Sequence, residues 1–412
     1  MVFSSLLFLY AFLPVCLLLY FLVPGLTGKN IVLLCASLVF YAWGEPVYVF
    51  LMLAVAALNW GFGLLLEKKR SKGLLALCVA LNLASLVVFK YAGFLVENCN
   101  ALFGAAFRIP QISLPIGISF YTFQALSYSV DVYRKDVGAQ RSYWKFLLYV
   151  SMFPQLIAGP IVRYAEIAPQ LDARETTFED VSAGAGRFVI GLSKKVLLAN
   201  VLYELITVFQ KSRDLSVLFY WLYAVSFTLQ LYFDFSGYTD LALGLALLFG
   251  FTLPENFDHP YMANSVTDFW RRWHMSLSSW FRDYVYIPLG GSRCSKGRLV
   301  WNLFAVWSLT GLWHGANWTF VCWGLWFFVL LSLEKLVWGQ ALAKLPGILR
   351  HGYAMLAVFI GWIFFRSPSL PYAFSFLRAL FVPGASAPDA LSWLTLCIRQ
   401  YGVQLGICLL LS

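Results

Sequence analysis

The chain has 412 residues, of which 60% are hydrophobic and only 12% are charged, against roughly a quarter charged in an ordinary soluble domain. A soluble fold of this size cannot bury so much apolar surface, and the low charge and lack of repeats exclude disordered, collagen-like and coiled-coil chains. The chain is therefore expected to be a membrane protein. In such a protein a net charge of +10 indicates membrane topology rather than nucleic-acid binding.

Apolar runs along the chain predict an all-α, polytopic membrane protein with about ten to twelve helices, some of them re-entrant or interfacial. The first run carries no basic segment before it and is long enough to span, so it is not a cleaved signal peptide. No internal repeat and no soluble domain is recognisable within residues 1–412. We therefore predict one membrane domain. The uncharged runs are 1–28, 30–44, 46–66, 73–89, 109–130, 146–162, 215–233 and 299–333, with weaker ones near 181–210, 241–254, 351–365 and 400–412.

Short basic segments orient the chain, because positively charged loops stay in the cytoplasm. The segment 67–72 holds one glutamate and four basic residues, which predicts such a loop. Counting spans from it puts the N-terminus and residues 97–108 outside and residues 134–141 inside. Residues 194–195 and the segment 271–298 are predicted to face the cytoplasm as well.

The segment 152–163 holds two prolines and a glycine inside an apolar stretch. A proline lacks the backbone N–H that a helix needs, and its ring clashes with the preceding turn. A broken helix is therefore predicted in this run.

Two acids, Asp234 and Asp240, flank Gly237 between two apolar runs. The pattern predicts a glycine turn. The carboxylates are expected to pair with the arginines of 271–282, to orient a histidine, or only to stabilise a re-entrant region. We take Asp234 as a candidate binding residue.

Charges and tryptophans alternate through residues 268–291 without leaving a spanning run, which predicts short helices that lie at the cytoplasmic interface or re-enter from it. Arg271, Arg272 and Arg282 are candidates for holding phosphates, since guanidinium groups match phosphate geometry. A phosphate-bearing thioester fits such a site, as coenzyme A or as phosphopantetheine on a carrier protein. The alternative is an interfacial anchor that binds no ligand.

One of only four histidines, His314, lies in the apolar run 299–333. As one straight helix this run would be about 52 Å long, against an apolar core near 30 Å. A break is therefore predicted at 311–317, where two glycines flank the histidine. Its neighbours Trp313 and Asn317 are candidate binding residues for substrate or donor. An ionisable group at such a depth is a functional candidate, and the alternative is a buried histidine bonded to a neighbouring carbonyl.

The eight cysteines are scattered through apolar runs, without a CxxC pair and without a histidine within four residues. Metal sites and disulfide frameworks need closer or more regular spacing. We expect no metal site, and we interpret the cysteines as small buried apolar residues.

Five blocks together resemble the membrane-bound O-acyltransferase family, in particular its bacterial alginate O-acetyltransferase branch. The similarity extends over residues 1–366. The paired FWRRWH and LWHG motifs make it specific. The blocks are FPQLIAGPIVRY (153–164), DFSGYTDLALGLALLFGF (234–251), PENFDHPY (254–261), DFWRRWHMSLSSWFRDYVYIPLGG (268–291) and TGLWHGANWTF (310–320).

The resemblance implies a bowl-like helical bundle with a tunnel through the membrane. It also implies that His314 is the catalytic histidine and that His274 occupies the second family position. The catalytic group would take the proton from an acceptor hydroxyl while that hydroxyl attacks the thioester. An unperturbed imidazole suits this role near neutral pH. Nucleophilic catalysis through an acyl-imidazole is the open alternative.

The implied activity is transfer of an acetyl group from a cytoplasmic thioester, acetyl-CoA or an acyl carrier, toward an extracytoplasmic polysaccharide. An esterase-like extracytoplasmic partner would complete the transfer, no cofactor would stay bound, and the location would be the bacterial plasma membrane. The alternatives are D-alanyl transfer to teichoic acid from a carrier protein, a proton-coupled transporter or flippase, and an assembly subunit without chemistry. Family members often continue beyond residue 412, so we expect a short or a truncated member, and the segment 379–396 matches no usable pattern.

Overall fold

The computed structural model describes residues 1–157, 159–211, 216–382 and 390–412. These residues are almost entirely helical, and β-type backbone pairing occurs among them as one isolated antiparallel bridge between Phe257 and Trp273. Ala158, inside the predicted broken helix, and residues 383–389 of the patternless segment lie outside the described residues.

The chain folds into two compact units, one of residues 1–190 and 238–254 and the other of residues 191–237 and 255–412. The single membrane domain stays a prediction. The helices that begin in the first unit are α1 (Phe8–Leu22), α2 (Leu26–Gly44), α3 (Val49–Lys68), α4 (Lys72–Phe103), α5 (Ile118–Arg134), α6 (Tyr143–Ser151), α7 (Phe153–Leu156), α8 (Tyr164–Asp172) and α9 (Phe178–Ser193).

The helices that begin in the second unit follow a π-helical segment, Lys194–Ala199, that continues α9. They are α10 (Asn200–Lys211), α11 (Val217–Leu248), α12 (Val266–Arg272), α13 (Met275–Phe281), α14 (Lys296–His314), α15 (Trp318–Ala343), α16 (Gly347–Arg366), α17 (Leu370–Ala379) and α18 (Ala390–Leu411). A short 3₁₀ helix, Pro260–Met262, precedes α12, and a π-helical turn, Arg282–Tyr286, continues α13.

Five of the described helices, α2, α3, α4, α15 and α16, are long and apolar enough to cross a membrane. This finding confirms the predicted all-α, polytopic class. The number of ten to twelve helices, the bowl shape and the tunnel stay predictions.

The two basic loops that were predicted to face the cytoplasm meet in the first unit. Glu67 forms an ion pair with Arg141 and accepts the backbone N–H of Ala139 at 2.9 Å. Arg70 donates to the carbonyl of Tyr133 at 2.8 Å. The loops after α3 and α5 therefore lie on the same side, as the span count requires, and the side that faces the cytoplasm stays a prediction.

The proline-rich run in the first unit is broken, as predicted. Helix α6 ends at Ser151, and α7 is a single turn that begins at Phe153 with Pro154 in its first turn. The run 146–162 is therefore not one spanning helix, because Pro154 can start a helix but cannot sit inside one.

The predicted glycine turn at Gly237 is wrong, because α11 runs unbroken through it. Gly237 serves close packing instead: an added Cβ would lie 3.0 Å from the carbonyl oxygen of Gly191. The two aspartates also form ion pairs with cations other than the arginines of 271–282, and pairing with those arginines was one of the three expected roles. In the first unit Asp240 accepts from Arg187 at 3.0 Å, and in the second Asp234 pairs with Lys195.

Candidate functional site

His314 is the last residue of α14, and the helical run is interrupted there. Helix α15 starts at Trp318 after three non-helical residues, which confirms the predicted break at 311–317. Asn317 caps the new helix: its Oδ1 accepts the N–H of Thr319 at 3.0 Å, and its amide donates to the carbonyl of Pro368 at 3.1 Å. The structure thus gives this candidate binding residue a capping role.

Two glycines set how closely α14 and α15 approach. A Cβ on Gly311 would lie 2.5 Å from the carbonyl oxygen of Phe320, and one on Gly324 would lie 2.3 Å from that of Trp307. Small residues allow this backbone contact between membrane helices. The contact brings the His314 ring to 4.8 Å from the Trp323 ring.

An aromatic shell surrounds the half-buried imidazole of His314. Its centroid lies 4.8 Å from the ring of Trp323, 5.0 Å from those of Trp313 and Phe365, and 6.4 Å from that of Phe320. Three of these rings meet the imidazole edge to face, an arrangement that aromatic pairs prefer. The shell fixes where the imidazole stands and limits water around it.

His274, the second predicted histidine, occupies the turn between α12 and α13 in a left-handed conformation with φ of +45°. Its ring is 2% exposed and lies 4.7 Å from the ring of Phe235 and 6.1 Å from that of Trp313. Burial holds the pKa of His274 well below its ordinary value, because the cation would lose its hydration. Both histidines therefore contact Trp313, and their catalytic roles stay predictions.

A cavity of about 590 Å³ in the second unit is lined by several cationic side chains. It is lined by two predicted residues, Arg271 and Arg282, and by Lys335 and Arg350, which the sequence reasoning missed. Among the described lining residues the one carboxylate is Glu334. We call this space the cationic cavity.

The cationic cavity also reaches the neighbourhood of His314. It is lined by Trp307 and Thr310, seven and four residues before His314 on α14, and by Trp270. The ring of Trp270 lies 5.6 Å from that of Trp323, which contacts His314. Two rings in succession, those of Trp270 and Trp323, therefore separate the cavity from the imidazole.

Glu334 fixes the start of α12 through both of its carboxylate oxygens. One oxygen accepts the N–H of Val266 at 2.7 Å, and the other accepts the N–H of Thr267 at 2.9 Å and its hydroxyl. The carboxylate thus satisfies two donors that a helix start leaves open. Because α12 carries Arg271, Glu334 holds that arginine in place.

We expect Glu334→Gln to lower the free energy of unfolding by about 1–3 kcal/mol, because its amide would turn a donor toward a buried backbone N–H. Thermal unfolding in detergent measures the effect as a lower Tm. The matched control is Glu179→Gln, an exposed position in the first turn of α9. Equal Tm values for both variants would contradict the capping role.

The other predicted arginines are already engaged. Arg272 pairs with Asp268 at 3.0 Å and with Asp258 at 3.5 Å, and it is not among the residues that line the cationic cavity. Arg282 lines that cavity while its guanidinium bonds Asp283 at 2.7 and 3.1 Å. Arg271 is therefore the best candidate of the three arginines for binding a ligand.

A second cavity in the same unit, of about 600 Å³, lies on the side of Phe320 and Phe365, two rings of the His314 shell. We call it the polar cavity. It is lined by an ion pair, by amides and by a further cation, with Asp234 accepting from Lys195 and, at 3.1 Å, from Gln230. Its polar lining residues are Lys195, Asn200, Tyr203, Gln230, Asp234 and Arg366.

Several of these residues carried only a weak signal in the sequence. Residues 194–195 were interpreted as a topological charge, and Arg366 is simply the end of the apolar run 351–365. Asn256, which contacts His274, lies inside the PENFDHPY block but was not singled out. The contact between Asn256 and His274 could not be predicted from the sequence, because the two residues are 18 positions apart and the fold brings them together.

The sequence of the chain is similar to those of known proteins. The model of the membrane-bound O-acyltransferase family matches residues 126–366. A probable alginate O-acetylase of Azotobacter vinelandii is 43% identical over 390 residues, which cover 92% of this chain and 78% of the relative. A peptidoglycan O-acetyltransferase of Helicobacter pylori is 34% identical over 420 residues, with 92% and 80% covered. A teichoic acid D-alanyltransferase of Bacillus subtilis is 30% identical over 250 residues, with 56% and 62% covered.

Proposed function

The chain belongs to the membrane-bound O-acyltransferase family and is an O-acyltransferase, and from that premise we propose that it transfers acetyl groups from a thioester donor to a polysaccharide. Two relatives that cover most of the chain are named for O-acetylation of a glycan. The D-alanyltransferase aligns with a smaller share, which makes D-alanyl transfer to teichoic acid the second candidate.

One observation carries the proposal: aromatic rings connect His314 to two cavities with different linings. The rings of Trp323 and Trp270 lie in succession between it and the cationic cavity, whereas Phe320 and Phe365, which contact it, line the polar cavity directly. A transferase that joins donor and acceptor directly must bring both of them to one base. The arrangement suits a donor on one side and an acceptor on the other.

The cationic cavity suits a phosphate-bearing thioester. Its volume of about 590 Å³ is that of a cofactor-sized pocket, and Arg271, Lys335 and Arg350 can form charge-assisted hydrogen bonds to phosphate oxygens. Coenzyme A and phosphopantetheine on a carrier protein share this chemistry. Because Arg271 and Arg282 belong to segment 271–298, whose basic charge predicts a cytoplasmic location, the donor would enter from the cytoplasm.

The polar cavity suits a hydroxyl-rich acceptor. The Lys195–Asp234 pair and the amide of Gln230 offer both donors and acceptors of hydrogen bonds. The acceptor is a polysaccharide or an esterase-like extracytoplasmic partner that passes the acetyl group on. The enzyme would work in the bacterial plasma membrane with its N-terminus outside.

In the proposed step a bare nitrogen of His314 takes the proton of the acceptor hydroxyl. The hydroxyl oxygen forms a bond to the thioester carbonyl carbon, the carbon–sulfur bond breaks, and the departing thiolate takes the proton back from the imidazolium. Positioned acid–base help of this kind supplies about 10²–10⁴-fold. The alternative, an acyl-imidazole on His314, uses the same geometry.

The test is reconstitution of the purified chain in proteoliposomes with a labelled acetyl thioester and a glycan acceptor. Acetyl transfer without substrate-driven proton flux supports the proposal. Proton flux without acyl transfer would instead indicate a transporter. Preferred use of a D-alanyl carrier protein as donor would instead indicate D-alanyl transfer.

We expect Arg271→Gln to raise the KM for the donor about tenfold to a hundredfold with little change in kcat, because it removes one charge-assisted hydrogen bond. Initial rates over a range of donor concentrations measure the effect. The neighbouring variant Arg272→Gln is the control, since that guanidinium is held by Asp268 and Asp258. Equal KM values for the two variants would remove Arg271 from the donor site.

A further inference from the structure

The segment before α12 and the turn after it form a short antiparallel pair that holds His274. Asp258 donates its N–H to the carbonyl of Arg272 at 3.0 Å, and Met275 donates to the carbonyl of Asn256 at 3.0 Å. The bridge between Phe257 and Trp273 lies between these bonds. The pairing sets the side chain of Asn256 against the imidazole of His274.

The backbone of His274 indicates that this placement is enforced. A φ of +45° is rare for a residue with a side chain, and such strain persists where the surroundings fix it, often at functional sites. Here the turn directs the ring between Phe235 and Trp313, where it is 2% exposed.

The Oδ1 atom of Asn256 has three close neighbours: the N–H of Ser276 at 3.1 Å, the hydroxyl of Ser276 at 2.8 Å, and Nδ1 of His274 at 3.1 Å. A backbone N–H can only donate, so the atom that faces it must be the amide oxygen and not the nitrogen. Since an amide oxygen only accepts, Nδ1 of His274 must carry the hydrogen. The proton-accepting atom of this imidazole is then Nε2.

We infer that Asn256 is a positioning residue that holds His274 as the neutral tautomer with hydrogen on Nδ1 and a bare Nε2. Nε2 of His274 can therefore accept a hydrogen bond but has no proton to deliver. In the transfer reaction, which this inference takes from the proposed function, the proton of the departing thiolate must then come from His314. Asn256 would thus divide the roles of the two histidines.

The tautomer can be observed directly by NMR of the protein labelled at its histidine nitrogens. Because the chain has four histidines, the double variant His259→Gln/His351→Gln leaves two signals, and His274→Gln assigns one of them. We expect His274 to show a protonated Nδ1 and a bare Nε2, and Asn256→Leu to show a mixture. A proton on Nε2, or a charged ring at neutral pH, would overturn the inference. This readout needs no catalysis, so its failure is distinct from failure of the proposed function.

A pH profile tests the consequence for activity through Asn256→Asp. The Nδ2 atom of Asn256 has no hydrogen-bond partner among the described residues, so the aspartate keeps Oδ1 and loses no bond. A carboxylate beside Nδ1 stabilises the imidazolium and raises the pKa of His274, so the acidic limb of kcat should move to higher pH. The donor KM should not change.

Other titratable groups near His274 are the same in the variant and in the wild type. Asp234 precedes Phe235 and pairs with Lys195, Asp258 pairs with Arg272, and His314 lies beyond Trp313.

The control is Asn100→Asp in the first unit, where Oδ1 also accepts a backbone N–H, that of Phe107, at 2.9 Å. Unlike Asn256→Asp, it also removes a bond, from Nδ2 to the carbonyl of Phe107 at 2.8 Å. It should leave the profile unchanged. A stable Asn256→Asp protein with the wild-type pH profile would assign Asn256 a purely structural role.

Discussion

Replacing His314 by alanine is expected to lower acyl transfer by about 10²–10⁴-fold, the range that a positioned general base supplies. The variant removes the one ionisable ring inside the shell of Trp313, Phe320, Trp323 and Phe365. Alanine leaves the helix end intact, because it is a good helix former. In cells, the measurement is the amount of acetate that mild base releases from surface polysaccharide.

His351→Ala is the control for this substitution. His351 contacts the carbonyl of Ala263 through Nδ1 at 3.1 Å and does not belong to the His314 shell. It should leave acetylation close to wild type at equal protein abundance. Unchanged acetylation in a stable His314→Ala protein would contradict the assignment of the base.

The second large effect is expected for Gly311→Ala. Its Cβ would lie 2.5 Å from the carbonyl oxygen of Phe320, a distance that backbone atoms do not tolerate, so α14 and α15 must move apart. His314 lies three residues further along α14 and moves with it. Because a misplacement of about 1 Å can cost 10²-fold in rate, acyl transfer should fall by about that factor even if the protein stays folded.

Gly297→Ala is its matched control, since Gly297 lies on the same helix and has open space where the alanine methyl group would stand. Acyl transfer rates and Tm values of the two purified variants give the comparison. We expect wild-type activity for Gly297→Ala and low activity for Gly311→Ala. Equal activity in both would show that the close contact of α14 and α15 does not position the base.

The break beside His314 could be predicted because it follows from length: the apolar run 299–333 is too long for one straight span, and its glycines lie beside the histidine. The close packing at Gly237 could not be predicted in the same way. A glycine marks either a turn or a close helix contact, and only the neighbouring backbone of Gly191 distinguishes the two. The charges of Asp234 and Asp240 were interpreted as partners of nearby arginines, whereas helix α9 and its π-helical continuation supply their cations.

The two histidines of the candidate site could be predicted from the sequence, but only some of the residues that line its cavities could. Arg271 and Arg282 stand out because they interrupt an aromatic segment. Lys335 follows the apolar run 299–333, and Arg350 and Arg366 lie in the first and last turns of α16. At such positions a charge ordinarily marks nothing but the membrane edge. Their convergence depends on how helices pack across the second unit, which periodicity does not encode.

The most direct test of the account is a single-turnover measurement of labelled acetyl transfer by the purified chain in lipid nanodiscs, with donor binding measured in the same preparation. For His314→Ala we predict donor binding equal to wild type and a transfer rate at least about a hundredfold lower. A His314→Ala protein that binds the donor and transfers its acetyl group at the wild-type rate would contradict the account.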